Sequence, residues 1–81
     1  MLNEILMIMK NELEIELTNV TEETALVAVG IDSISFMTLI IYIEEKYDIQ
    51  FSFDGIFMQE YSTLTFKLLI KEINDLISRK D

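Results

Sequence analysis

Between Ser33 and Tyr47 the chain carries more apolar side chains at helical spacing than one helix face can hold, and this surplus constrains the fold more than any other feature. Phe36, Leu39, Ile40, Ile43 and Tyr47 recur at three- and four-residue intervals and suffice for a core-facing stripe. Ile34, Met37 and Ile41, with Tyr42 beside them, form a second stripe on another face. Such a helix is either buried on both faces or keeps one for a partner, because small monomers rarely expose a contiguous apolar strip without a use for it. Immediately ahead stands Gly30-Ile31-Asp32-Ser33-Ile34. Gly30 can turn the chain, and Asp32 or Ser33 can accept hydrogen bonds from the free amides of the next helical turn. Ser33 is therefore expected at a helix N-terminus facing water, as part of an ordinary capping pair or as a hydroxyl open to chemistry.

The rest of the chain supplies elements to surround that helix. Leu2, Ile5, Leu6, Met9 and Leu13 alternate with polar residues at helical spacing and predict an amphipathic helix from Asn3 to about Glu14, with Ile8 broadening its buried face. From Ile15 to Ile31 the period is lost, and the isolated apolar residues Ile15, Leu17, Val20, Leu26, Val27 and Val29 predict a long loop pinned across the helices, with a turn capped at Thr21. Tyr47 to Asp54 alternates like a strand, yet no second alternating run exists to pair with it, so an extended segment with its aromatics inward is expected. Asp48, Gln50 and Ser52 have the spacing of a calcium loop, but Phe53 and Gln59 stand where glycine and a bidentate glutamate are required. Asp54 or Gly55 starts a short helix reaching Glu60, and Ser62 or Thr63 caps a last helix from about Leu64 to Ser78. Its apolar face is expected from Leu64, Leu68, Leu69, Ile73, Leu76 and Ile77, with a Lys71–Asp75 pair and with Arg79 and Lys80 at its C-terminal end.

Composition then excludes whole classes of chemistry. Eighty-one residues make one domain, 1–81, with a single small core. There is no cysteine, hence no disulfide, thiolate metal site or thiol nucleophile, and no histidine, hence no Ser-His triad within the chain. If Ser33 matters chemically, its activating groups come from another protein. A net charge of −9 opposes nucleic acid and anionic membranes and favours basic protein surfaces. The apolar N-terminal stretch contains Glu4 and lacks a basic start and a cleavage site, so no signal peptide is expected, and no apolar run is long enough to span a bilayer. A cytoplasmic monomer without a metal site is the resulting expectation.

With these residues in view, the sequence resembles the acyl carrier protein family along nearly its whole length. That family's signature, an Asp-Ser-Leu tripeptide usually preceded by glycine at the start of the second helix, stands here as Gly30-Ile31-Asp32-Ser33-Ile34. Thr21-Glu22-Glu23-Thr24-Ala25-Leu26 before it, Ile43-Glu44-Glu45-Lys46-Tyr47-Asp48-Ile49 at the end of that helix, and Tyr61-Ser62-Thr63-Leu64 before the last helix are similar to further family marks.

The resemblance implies an all-α, acyl-carrier-like four-helix bundle of three main helices, a short third helix and a long first loop. It implies a non-enzymatic carrier whose Ser33 receives a 4′-phosphopantetheine arm from coenzyme A through a separate phosphopantetheinyl transferase. Asp32 would cap the helix and face that transferase. Ile34, Met37, Ile41, Glu44 and Glu45 would dock the transferase and the activating, condensing, modifying or releasing enzymes, whose surfaces should be basic and apolar. Many carriers of primary fatty acid synthesis place acids just after the motif, where Ser35 and Thr38 stand here. That departure points away from fatty acid synthesis and toward a free-standing carrier of polyketide, aminoacyl or peptidyl intermediates, or a D-alanine-type carrier. The competing reading is an acidic helical adaptor with no arm.

Overall fold

The structure, a computed structural model, describes residues 1–51 and 63–80. Helix α1 spans Leu2–Glu12, where Ile5 and Met9, one turn apart, are fully buried. Leu2, Leu6, Ile8 and Leu13 pack against the same core, and Ile8 thus widens the buried face as its position suggests. The helix ends two residues earlier than its pattern predicts, because Glu14 turns into the left-handed region at φ 56°. Beyond it the chain is irregular, with Ile15, Leu17 and Val20 packed against the core. Thr21 organises a turn, its hydroxyl accepting from the Glu23 amide at 3.2 Å and its amide donating to Thr24 Oγ1 at 3.0 Å. The loop closes with a single 3-10 turn, Leu26–Val29, in which Leu26 is fully buried.

Helix α2 spans Ser33–Tyr47, the expected limits, and buries Phe36, Leu39, Ile40 and Ile43. Asp48 ends it in a left-handed conformation, and the amides of Asp48 and Ile49 both return to the Glu44 carbonyl. The Phe51 amide donates to the Glu44 carboxylate at 2.8 Å. Three amides of the alternating segment are spent on Glu44, which is why it runs as an extended loop and delivers Ile49 and Phe51 to the core.

The last helix, α3, spans Phe66–Ser78 and starts later than the expected Leu64. Its cap is Thr65, in place of the expected Ser62 or Thr63, with Thr65 Oγ1 accepting from the Leu68 amide at 3.3 Å. The reason lies outside the helix: Leu64 and Thr65 are held extended against the first loop, with an antiparallel bridge between Ala25 and Thr65. Phe66, Leu69 and Ile73 are fully buried, while Leu68, expected in the core, is half exposed.

Among the described residues ion pairs join Glu4 to the Met1 amino group (3.6 Å) and to Lys46 (3.8 Å), and Asp48 to Lys80 (3.3 Å); the expected Lys71–Asp75 pair is not formed. Lys80 also donates to the Tyr47 carbonyl at 3.3 Å, so it serves the end of α2. The described residues form three α-helices, one 3-10 turn and no strand, an all-α arrangement with the core between the helices. The short helix expected between Asp54 and Glu60, together with Ser52, Phe53 and Ser62, lies outside the described residues.

Candidate attachment site at the start of the second helix

The turn ahead of α2 is built from both ends. On one side Leu26 anchors the 3-10 turn, and Gly30 reverses the chain at φ 94° and ψ 15°, its amide returning to the Leu26 and Val27 carbonyls. A Cβ on Gly30 would meet no atom within 4 Å, so the backbone angle is what favours glycine there. On the other side Ile31, only 3% exposed, pins the chain to the core one residue before the helix. Asp32 is extended, its carboxylate accepting from the Ser35 amide at 2.7 Å and its carbonyl from the Phe36 amide at 2.8 Å. The Ser35 amide, reinforced by the Ser35 hydroxyl, holds the Asp32 carboxyl below its ordinary pKa of 3.8.

Asp32 is thus the N-cap, and Ser33 is the first helical residue, exposed, its hydroxyl making no hydrogen bond among the described residues. A hydroxyl there lies beside the positive end of a 15-residue helix and is not consumed by capping. Space, exposure and local field all suit a covalently attached phosphodiester at that oxygen.

The second stripe is open to solvent. Ile34 is 77% exposed and Ile41 51%, with Met37 half-buried between them, so α2 is not buried on both faces. Thr38 keeps this face apolar by donating its hydroxyl to the Ile34 carbonyl at 3.0 Å. Glu45 is exposed, whereas Glu44 is half-buried with one carboxylate oxygen on the Phe51 amide. Sequence reasoning passed over Glu12 in α1. Its carboxylate lies near the Tyr42 hydroxyl and, with Glu45 adding to it, raises that phenol's pKa, bringing an acid from α1 to the far end of the stripe. Nothing in the local pattern of α1 announces this, because it depends on how α1 and α2 pack.

Among the described residues no group of histidine, cysteine or acidic side chains is placed to hold a metal ion, and no helix is long and apolar enough to cross a membrane. A cleft of about 430 Å³ lined by Asp48, Ile49, Leu76, Arg79 and Lys80 sits at the opposite end of α2, roughly 22 Å from Ser33 by helical rise.

Comparison with known families matches residues 3–65 to the phosphopantetheine attachment site family. No curated protein and no solved structure matches the chain. Domains of this family are non-catalytic carriers to which 4′-phosphopantetheine is covalently attached, and they work with a phosphopantetheinyl transferase and with catalytic partners. The matched span covers more than three quarters of the 81 residues, contains the whole Gly30–Ile34 turn, and agrees with the all-α fold. The chain belongs to the phosphopantetheine attachment site family.

Proposed function

We propose that Ser33 is the residue that receives the arm and that the chain carries acyl, aminoacyl, polyketide or peptide intermediates in a specialised biosynthetic pathway. The observation that carries this reading is the division of labour at the helix start: Asp32 does the capping, and the adjacent Ser33 hydroxyl is exposed and uncommitted. In the attachment step Ser33 Oγ bonds to the phosphorus bearing the pantetheine of coenzyme A. The bond from that phosphorus to the adenosine bisphosphate portion breaks, and the serine proton passes to a base of the transferase, since this chain has no histidine to take it. When attached, the arm supplies a terminal thiol that holds cargo as a thioester, which a cysteine-free chain cannot otherwise offer.

Asp32 fixes the backbone that presents Ser33 and meets the transferase. Ile34, Met37 and Ile41 form the docking face, with Glu44 and Glu45 at its acidic end, and partners present an apolar patch with basic residues beside it. An exposed apolar face where carriers of primary fatty acid synthesis have acids supports the specialised role. The cytoplasm, where coenzyme A is available, is the proposed setting.

The experiment is incubation with coenzyme A, magnesium and a broad-specificity transferase, read by intact mass. The wild-type chain gains one phosphopantetheine mass and Ser33→Ala gains none; an unchanged wild-type mass, or a gain that survives Ser33→Ala, overturns the proposal.

A further inference from the structure

The first amides of a helix have no intrahelical partners, and in α3 those of Phe66, Lys67 and Leu68 are shared between two different devices. The Leu68 amide is taken by Thr65 Oγ1 at 3.3 Å, and the Thr65 carbonyl accepts the first intrahelical bond, from the Leu69 amide at 3.1 Å. The Phe66 and Lys67 amides leave the helix altogether and donate to the Thr24 carbonyl at 3.1 Å and the Glu22 carbonyl at 2.6 Å. In the other direction the Leu26 amide donates to the Leu64 carbonyl at 2.9 Å. Three main-chain bonds therefore clasp the first loop to the start of α3. Thr65 sits at the centre of the clasp, both as the cap of α3 and as the bridge partner of Ala25.

The path from this clasp to Ser33 contains no loose segment. Leu26 is fully buried, and its carbonyl accepts from the amides of Gly30 and, at 3.4 Å, Ile31. Ile31 is buried in turn and leads directly into the Asp32 cap. If the start of α3 frays, the Phe66 and Lys67 donors are withdrawn from Thr24 and Glu22. The turn ahead of α2 then loses the support that fixes where Leu26 and Ile31 sit.

We propose that Thr65 is a positioning residue for Ser33: by capping α3 it keeps the clasp closed, and the closed clasp holds the serine turn in the shape a transferase recognises. This rests on the reading of Ser33 as the attachment residue.

The test uses the full chain, with Thr65→Val removing the hydroxyl while keeping a β-branched residue, Thr65→Ala as a second loss variant, and Thr65→Ser to restore the cap. Loss of an N-cap corresponds to about a five- to tenfold shift in a local opening equilibrium. In both loss variants amide hydrogen exchange at Leu26 and Ile31 rises by about that factor while Ile40 and Ile43, inside α2, exchange as before. With coenzyme A and a broad-specificity transferase, the KM for the carrier rises several-fold while kcat is held, and Thr65→Ser restores both quantities. Unchanged exchange at Leu26 and Ile31, a rise spread evenly through α2, unfolding of both loss variants, or raised exchange with an unchanged KM overturns the role of Thr65 and leaves the attachment reading standing. A wild-type chain that gains no arm overturns both.

Discussion

At the scale of single residues, Asp32 and Ser33 are neighbours with separate tasks. Either could cap α2 by residue type, and only the geometry decides: the Ser35 amide is 2.7 Å from the Asp32 carboxylate. Because that bond favours the ionised form, the folded pKa of Asp32 is depressed. Its contribution is therefore complete above the ordinary 3.8 and is lost as pH falls through the lowered value. Asp32→Ala should lower the thermal midpoint by a few degrees at neutral pH, whereas Asp32→Asn, an equally good cap, should keep it. Across a titration below pH 4 the Ser35 amide chemical shift should move in the wild type and stay still in Asp32→Asn; a shift that moves equally in both would show that another group is titrating. The same ambiguity of residue type explains the misplaced cap of α3. Ser62, Thr63 and Thr65 are all competent by type, and the choice is made by the bridge to Ala25, more than thirty positions away in sequence.

At the scale of elements, α2 was the most legible part of the chain, and its limits and its two faces follow from periodicity alone. Strong period and a capping residue make such a helix nearly independent of context. By contrast, α3 shows what periodicity cannot reach. Leu64, Leu69 and Ile73 are buried as the pattern expects, but Phe66 takes the core place expected of Leu68, because at the edge of an apolar stripe the neighbouring elements choose which side chain is covered. For the open face of α2 the decisive variant is Met37→Glu. A charge in the middle of the proposed docking surface should slow loading by a partner enzyme by about tenfold while circular dichroism stays native. Native-like turnover would remove Met37 from the docking face, and unfolding would assign it to the core.

At the scale of the whole molecule, stability at high pH should report on the packing of α1 against α2. The Tyr47 hydroxyl is buried and makes no hydrogen bond among the described residues. Burial, helped by the nearby Glu4 carboxylate, pushes its pKa up to about 12. The folded state thus retains this proton more tightly than the ordinary 10.0 requires, so the contribution of the neutral phenol is complete below pH 10 and is lost as pH rises towards 12. Tyr47→Phe should be neutral or stabilising by up to about 1 kcal/mol at pH 7, because it removes a buried polar group that has no partner. It should also remove one phenolate step from the ultraviolet titration and flatten the fall in stability between pH 10 and 12. A variant that is markedly less stable at pH 7 would mean that the hydroxyl is satisfied after all. The Tyr47 ring is legible in the sequence as part of the core stripe of α2. The fate of its hydroxyl is not, because it depends on where Glu4 of α1 comes to rest.

The Lys80 contacts at the far end of α2 give the molecule a mechanical polarity. Around Ser33 the chain is secured by main-chain hydrogen bonds and buried aliphatic anchors, which salt hardly affects. About 22 Å away by helical rise, one lysine reaches across to Tyr47 and Asp48, and the Asp48 side chain is 94% exposed. Such a pair contributes only a few tenths of a kcal/mol and is screened by ions. The response to ionic strength should therefore gather where α2 and α3 end, while the serine's side is little affected by salt. A change in salt can therefore alter one end of the molecule without reaching the turn that presents Ser33.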